Sequence, residues 1–378
     1  MKKILVLYAT AGIGHKKASM AVKAAFDELK LNDVQVTLAD ALDYTNNFFK
    51  WSYLKAYLLM VNKLPTIWGL SYYFTDNFYA NLVVSKLRRL NNWLNSGKLA
   101  KYLIDEKPDV VISTHFFASE VISDLKETGK IDCKLITVVT DYRLHSWWVA
   151  DKTDMYVVAG QDTYDDLIKW KVPPEKIKLL GIPIEPVFTK NMDRAKILQA
   201  AGLRDGVFTV LVIGGGFGVG PIEDIIKAVG SSANPLQIIT VCGHNEELVK
   251  KLEALKSKLK ASIKVFGFVN NVYEYMSVAD VLISKSGGIT VSESLAKELP
   301  LIIIAPIIGQ ETRNSDYLMN HGAAVKIGKA ADVKEVVEYL SVHPERMAAM
   351  KEAIRKIKKP MACYDVAKLA MEICGTKN

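Results

Sequence analysis

Short apolar runs alternate with helix-length amphipathic stretches through most of this chain. In the first half, Ile4–Tyr8, Val34–Leu38, Val110–Ser113, Leu135–Val139 and Met155–Val158 read as strands. Their near-continuous apolar character is the pattern of parallel strands covered on both faces. The stretch His15–Leu29 places Ala18, Val22, Ala25 and Leu29 at helical spacing and predicts a helix. The second half restarts the rhythm, with strands expected at Thr209–Ile213, Gln237–Val241, Ile263–Phe266, Val281–Ser284 and Leu301–Ile304. Such alternation predicts an α/β chain with a parallel sheet in each half. No short-period repeat is present, which argues against a solenoid. The conspicuous apolar run Leu301–Ile308 is too short to cross a bilayer.

The strand that opens each half runs into glycines: ILVLYATAGIGHKKAS over Ile4–Ser19 and FTVLVIGGGFGVG over Phe208–Gly220. A strand–glycine–helix turn lets backbone N–H groups approach a phosphate closely. One such turn says little. Two, each opening a half of domain size, predict paired nucleotide-binding-like domains around a cleft. The two prolines of LLGIPIEPVF mark the linker. Domains are therefore expected over residues 1–185 and 186–359. The tail 360–378, apolar on one face at Val366, Leu369, Ala370 and Ile373, should pack as a helix joining the first domain.

Residues 44–93 break the alternation with a largely helical insertion, interrupted near Pro65. Twelve aromatics fall between Tyr44 and Tyr79, and six basic residues (Lys50, Lys55, Lys63, Lys86, Arg88, Arg89) face one acid, Asp76. Aromatic burial and charge attraction together fit an anionic lipid surface; an insertion folded onto the core is the alternative. Across all 378 residues the net charge is +8, which permits an anionic partner, but no nucleic-acid-binding motif accompanies it. Met1-Lys-Lys leads directly into a strand, so no secretory signal is expected. Cys133, Cys242, Cys363 and Cys374 lack metal spacing and read as reduced thiols of a cytoplasmic protein.

The turn Ala11-Gly12-Ile13-Gly14-His15 is not a Walker A loop, and Lys17 stands at the third glycine position of a dinucleotide fingerprint. Asp40, after the second strand, keeps a ribose-binding, NAD-type reading open. His15, at a helix start on the carboxyl edge of the sheet, can serve as a base near neutral pH or merely satisfy the turn. His115 follows the strand VVIS in the same way, and Asp141, His145, Trp147 and Trp148 follow the strand ending at Val139. Such residues are costly in a core and natural in a cleft. Asp141 can partner an imidazole or cap a turn. The three histidines lie on separate loops, so no metal site is expected. Ser284–Glu293 runs from a strand through Gly287 and Gly288 into a helix, whose free N–H groups favour a diphosphate. Glu293 can take a ribose diol or simply complement the helix dipole. Gln310, Glu311 and Asn314 can read sugar hydroxyls or form a solvated loop.

These motifs, in order, resemble the family of monogalactosyldiacylglycerol synthases and processive diacylglycerol glucosyltransferases, a branch of glycosyltransferase family 28. The matches are the glycine turn ending at His15, Thr140-Asp141 with His145 and Trp148, Gly267-Phe268-Val269, Ser286-Gly287-Gly288 with Thr290 and Glu293, and Gly309-Gln310-Glu311 with Asn314. Where the family often has three glycines, this chain has Gly12-Ile13-Gly14. The resemblance implies the GT-B fold: two Rossmann-like domains facing each other across a cleft. It implies a UDP-glucose or UDP-galactose donor on the C-terminal domain. There Phe268 and Val269 would lie at the uracil, Glu293 at the ribose, Gly215, Gly216 and Gly287 to Ile289 near the diphosphate, and Gln310 and Glu311 at the sugar, with Ser286, Thr290 and Asn314 also among the donor-binding residues. Gly14 belongs to the same group. The N-terminal domain would take diacylglycerol, with His15 or Asp141 as base and His115, His145 and Trp148 on the acceptor side. Transfer would invert the anomeric carbon without an obligatory metal, on the cytoplasmic face of the membrane. A polyprenyl-linked or other lipid acceptor, or a non-catalytic lipid- and nucleotide-binding role, are the rival readings.

Overall fold

The computed structural model describes residues 1–10, 12–214 and 220–375, so Gly215 and Gly216 lie outside the described residues. Two compact units emerge: Met1–Pro186 with Ile308–Arg313 and Lys359–Asn378, and Val187–Ile307 with Asn314–Lys358.

The first unit is built on six parallel strands: β1 (Lys2–Tyr8), β2 (Val34–Asp40), β3 (Val110–Ser113), β4 (Lys134–Val138), β5 (Met155–Val157) and β6 (Ile177–Lys178). Their order is β2-β1-β3-β4-β5-β6. The period of two along β1 divides the core. Ile4 and Val6 meet Val22 and Ala25 of helix α1 (Ile13–Leu29) and the tail residues Val366, Ala367 and Ala370. Leu5 and Leu7 point to the other side, toward Leu99, Leu103 and Phe117. The tail thus packs as a helix, Ala362–Ile373, against α1.

The insertion forms three helices with sequence-encoded ends: α2 (Asn47–Lys63), α3 (Pro65–Thr75) and α4 (Phe78–Asn95). Asn46 caps α2 by accepting from the Phe49 N–H at 2.6 Å, and Asn77 caps α4 by accepting from Tyr79 at 3.0 Å. Pro65 occupies the first position of α3, where its missing N–H costs nothing. Helices α5 (Gly97–Glu106) and α6 (Phe116–Glu127) complete this side of the sheet.

The second unit carries β7 (Phe208–Ile213), β8 (Leu236–Val241), β9 (Ser262–Phe266), β10 (Val281–Ser284), β11 (Leu301–Ile304) and β12 (Ala324–Ile327). They form a parallel sheet in the order β12-β11-β10-β7-β8-β9. Two strands escape the sequence reading, β6 and β12, and both lie at sheet edges. One is two residues long and the other carries the exposed Lys326, so neither shows the apolar run of a central strand.

Each order contains one switch point. In the first sheet β1 continues to β2 on one side and neighbours β3 on the other; in the second, β7 lies between β8 and β10. Ligands of open α/β sheets bind at the carboxyl ends of strands flanking such a point.

Candidate active site

At the first switch point, the chain leaving β1 delivers His15 and the chain leaving β3 delivers Thr114 and His115. His15 Nδ1 lies 2.7 Å from the Thr114 carbonyl oxygen. A carbonyl only accepts, so Nδ1 carries the hydrogen and Nε2 keeps its lone pair. The Thr140 hydroxyl, 3.1 Å from the same nitrogen, steadies the ring. Burial lowers the His15 pKa to about 4, partly opposed by the Thr114 hydrogen bond. The ring is therefore neutral, in the tautomer of a base, at physiological pH.

His115 stands edge-on to it, ring centroids 4.5 Å apart. Its Nδ1 accepts the Phe117 N–H at 3.1 Å, capping α6 and leaving the hydrogen on Nε2. Burial and then the charge of a protonated His15 hold its pKa well below the ordinary imidazole range. A hydrogen-bond acceptor and a donor are thus held side by side. The glycine turn and the VVIS strand gave each histidine separately, but nothing in the sequence signalled their contact.

These rings form part of a pocket of about 270 Å³. Asp141 and Gln310 complete its polar lining. Tyr53, Ala56 and Met60 of α2, Trp68 and Tyr72 of α3, and Phe116, Trp147 and Trp148 supply the rest. The pocket lining combines titratable groups with aromatic and aliphatic side chains. Half of its aromatic residues, Tyr53, Trp68 and Tyr72, come from the insertion.

Other expected residues are placed differently. His145 does not line the pocket. It is 3% exposed and caps the turn Ser146–Trp148 by accepting from Trp147 N at 3.2 Å, while Nε2–H donates to the Tyr72 carbonyl at 3.0 Å. Its ring packs against Tyr72 and Trp147, both of which line the pocket. Asp40 accepts from Thr10 and, at 3.0 Å, from Leu42 N, so it caps the turn Ala41–Tyr44. Among the described residues no three His, Cys, Asp or Glu side chains gather as a metal-ligand set. The four cysteines are free thiols.

In the second unit, helix Gly288–Ala296 starts at the carboxyl end of β10, beside the switch point. Gly287 is its N-cap and no side chain caps it, so the helix start presents backbone N–H groups. Ser286, Ile289 and Glu293 are buried, while Gly287, Gly288 and Thr290 are partly exposed. Glu293 lies beyond the first turn, which removes the dipole-only explanation of it. Asn314 donates to the Ser286 carbonyl at 3.0 Å, fixing the turn. Beyond β9, the exposed Phe268 ring stacks on His244 at 4.4 Å and 10°, with Val269 partly exposed beside it in sequence. His244 escaped the sequence reading; its signal was the glycine turn Cys242-Gly243-His244 at the end of β8.

Two residues of the insertion's basic flank, Arg88 and Arg89, pair within the first unit. Arg88 donates to both oxygens of the buried Glu120, with Nε–Oε2 at 3.0 Å, and Asn92 donates to the same carboxylate at 2.6 Å. Arg89 pairs with Asp124 at 2.6 Å and Glu127 at 2.7 Å. These acids belong to α6, so the polar face of α4 turns inward. Its outward face carries Tyr79, Leu82, Val83, Leu87, Leu90, Trp93 and Leu94, each more than half exposed. The helix is amphipathic with its sides reversed.

Residues 15–184 match the family model for monogalactosyldiacylglycerol synthase, and residues 209–366 match that for the glycosyltransferase family 28 C-terminal domain. A processive diacylglycerol beta-glucosyltransferase of Staphylococcus epidermidis is 30% identical over 383 residues, covering 99% of this chain and 93% of the relative. The chain belongs to this family. A protein of the same name from Bacillus cytotoxicus is 31% identical over 375 residues, covering 98% of this chain and 93% of its own. Among solved structures, Acinetobacter baumannii MurG superposes with a TM-score of 0.66 at 15% identity, covering 98% of this chain and all of that one. S. aureus MnaA, solved with UDP, gives 0.63 at 14%, covering 100% and 99%. The expected α/β, GT-B fold holds, and the protein is a glycolipid glycosyltransferase.

Proposed function

We propose that this enzyme transfers glucose or galactose from its UDP-sugar to the free hydroxyl of diacylglycerol, and onward to glycosyl-diacylglycerol, with inversion at the anomeric carbon. The observation that carries the proposal is the His15 tautomer: a neutral imidazole with its Nε2 lone pair available, in an aromatic-walled pocket suited to a lipid with a polar end. The names of the relatives support the acceptor and the glucose donor.

In the reaction the acceptor hydroxyl loses its proton to His15 Nε2 as its oxygen attacks C1 of the sugar. The bond from C1 to the β-phosphate oxygen breaks, and both electrons leave with UDP. Asp141, in the same pocket, steadies the imidazolium or replaces it as base. His115 Nε2–H donates to the acceptor oxygen and orients it. The N–H groups at the start of helix Gly288–Ala296 meet the charge growing on the departing diphosphate, so no obligatory metal is assigned. Glu293 holds the ribose diol, Phe268 and Val269 the uracil, and Gln310 and Glu311 the sugar hydroxyls.

The acceptor resides in a bilayer, and the reversed helix α4 supports docking there from the cytoplasmic side as a peripheral protein. On α2, Tyr53, Ala56 and Met60 line the pocket, whereas Phe48, Trp51 and Leu59 are exposed. No helix among the described residues is long and apolar enough to cross a membrane. Contact by apolar insertion therefore leads, with charge attraction secondary.

The test is a matrix of UDP-glucose and UDP-galactose against vesicles bearing diacylglycerol or monoglucosyl-diacylglycerol, with and without EDTA. The product anomer is read by NMR. A β-linked glycolipid from an α-linked donor, formed with or without chelator, is expected. Transfer only to a polyprenyl-linked acceptor, or nucleotide binding without turnover, would overturn the assignment.

A further inference from the structure

Arg313 lies within the Gly309–Asn314 motif but carries no role in the reading above, yet it is tied to the first unit by several contacts. Its Nη2 donates to Asp76 at 2.6 Å and its Nη1 to the Leu144 carbonyl at 2.8 Å. The guanidinium sits 5.1 Å from the Tyr72 ring centre and 5.3 Å from that of Tyr73. Asp76 is fixed in turn, accepting from Ser146 N at 2.7 Å. The ion pair is largely buried, with side-chain exposures of 21% and 17%.

The rest of the segment Ile308–Arg313 is seated on the same face of α3. Gly69, Tyr72, Tyr73 and the helix-capping Asp76 follow each other at helical spacing. A Cβ on Gly69 would come within 2.3 Å of Ile308, and one on Gly309 within 2.8 Å of the Tyr72 ring. Gly309 also has φ +101°, a conformation other residues rarely adopt. Two glycines thus let the segment and the helix close on each other. Between Gly309 and Arg313, anchored at both ends, stands Gln310, which lines the pocket beside His15 and Asp141.

We propose that Arg313 is a positioning residue: through Asp76 and the Tyr72–Tyr73 face of α3, it fixes Gln310 in the pocket to receive the donor sugar. The proposal rests on the reading that Gln310 and Glu311 meet that sugar. Arg313 touches no substrate and acts through the segment it holds. Two-pronged donation needs the guanidinium fork, so lysine keeps the charge and the Asp76 contact but loses the Leu144 anchor.

The experiment compares Arg313→Gln, Arg313→Lys, Gly309→Ala and Gln310→Ala in steady-state transfer from UDP-glucose, with UDP affinity by calorimetry and melting temperature for each. Arg313→Gln and Gly309→Ala are expected to lower kcat/KM for UDP-glucose by on the order of 10- to 100-fold, the scale for a misplaced positioning group. Arg313→Lys should fall between them and the wild type, UDP affinity should stay at the wild-type value, and all four should melt as folded proteins. Gln310→Ala should show a comparable loss. If Gln310→Ala reduces transfer while Arg313→Gln and Gly309→Ala do not, Arg313 is not a positioning residue. If Gln310→Ala itself leaves donor kinetics unchanged, the sugar-contact reading and the proposal built on it both fall. A loss in Arg313→Gln matched by an equal loss of UDP affinity or by a collapsed melting transition would reduce the pair to a structural tie.

Discussion

The first sheet ends at its switch point in side chains: His15 after β1, Thr114 and His115 after β3, with Asp141 and Thr140 following β4. The second sheet ends at its own in backbone: Gly214 after β7, then Gly287 and Gly288 after β10. In both, the strand order reverses around the first strand of the unit, so topology alone does not distinguish them. The difference lies in what fills the crevice. Bulky imidazoles and an aromatic wall leave a pocket that can exclude water and hold a proton acceptor. Glycines leave bare N–H groups at a helix start, which suit an anion and offer no group to take a proton. Under the proposed mechanism, one architecture used twice separates proton transfer from charge stabilisation.

The sharpest way to break that division is to remove His15. His15→Ala should lower kcat by about 10²-fold or more, the usual contribution of a general base, while UDP affinity by calorimetry stays unchanged. Near-normal turnover at saturating acceptor would return His15 to a turn residue and move the base to Asp141. The reciprocal change is next in size. Glu293→Ala removes hydrogen bonds to a charged group, worth roughly 1.5–3 kcal/mol, so UDP should bind about 10- to 100-fold more weakly. Glu293 is buried, so Glu293→Gln, which keeps the volume, separates lost ribose contacts from a disturbed fold. If His15→Ala weakens UDP as much as Glu293→Ala does, the two regions are not functionally distinct.

The insertion sharpens the comparison from outside, because the first unit alone carries it. Apolar contact through α4 predicts that Leu87→Ser with Leu90→Ser reduces vesicle flotation by about tenfold, a partial share of the 1.5–3 kcal/mol of a fully buried leucine. Wild-type binding should largely survive added salt, which screens charge attraction and leaves apolar burial intact. Charge reversal at Arg88 or Arg89 is unsuitable as a lipid-binding test, since both are engaged by α6 and their loss would unseat the helix. Unchanged flotation of the serine variant would assign α4 another partner.

How much of this was legible follows from range. The central strands, the helix after the first glycine turn and the tail helix are written in local periodicity, and the sequence shows them. His15, the Ser286–Glu293 turn and Gln310 carry local motifs and were equally visible. The contact between His15 and His115, the seating of α3 under Gly309, and the Arg313–Asp76 pair join residues distant in sequence, and no local pattern records them. The pairing of the basic flank escaped for a related reason. Composition counts Arg88 and Arg89 as surface charge, whereas Glu120, Asp124 and Glu127 lie one helical face away on a different element. Amphipathic spacing along α4 does not reveal which of its sides faces outward.

The smallest expected effect is the most specific to the first switch point, since Ser284–Glu293 contains no imidazole. Burial lowers the His15 pKa to about 4, so the ring stays in its proton-accepting form well below neutrality. An imidazole at the ordinary 6.5 would keep only about a tenth of that form at pH 5.5, whereas one near 4 keeps nearly all of it. The acid limb of kcat/KM should therefore be almost flat from pH 7 to pH 5.5. Stability should behave differently over that range. His15, His115 and His145 all resist protonation in the folded protein, chiefly through burial, while the unfolded chain takes up protons near 6.5. Their contribution to stability is present above that value and is lost as pH falls from 6.5 toward 4. Melting temperature should decline across an interval in which activity, measured well below that temperature, does not. A kcat/KM curve with a midpoint near 6.5 would mean that His15 is solvated like a free imidazole, and the proton-accepting pocket that sets the first switch point apart from the second would be lost with it.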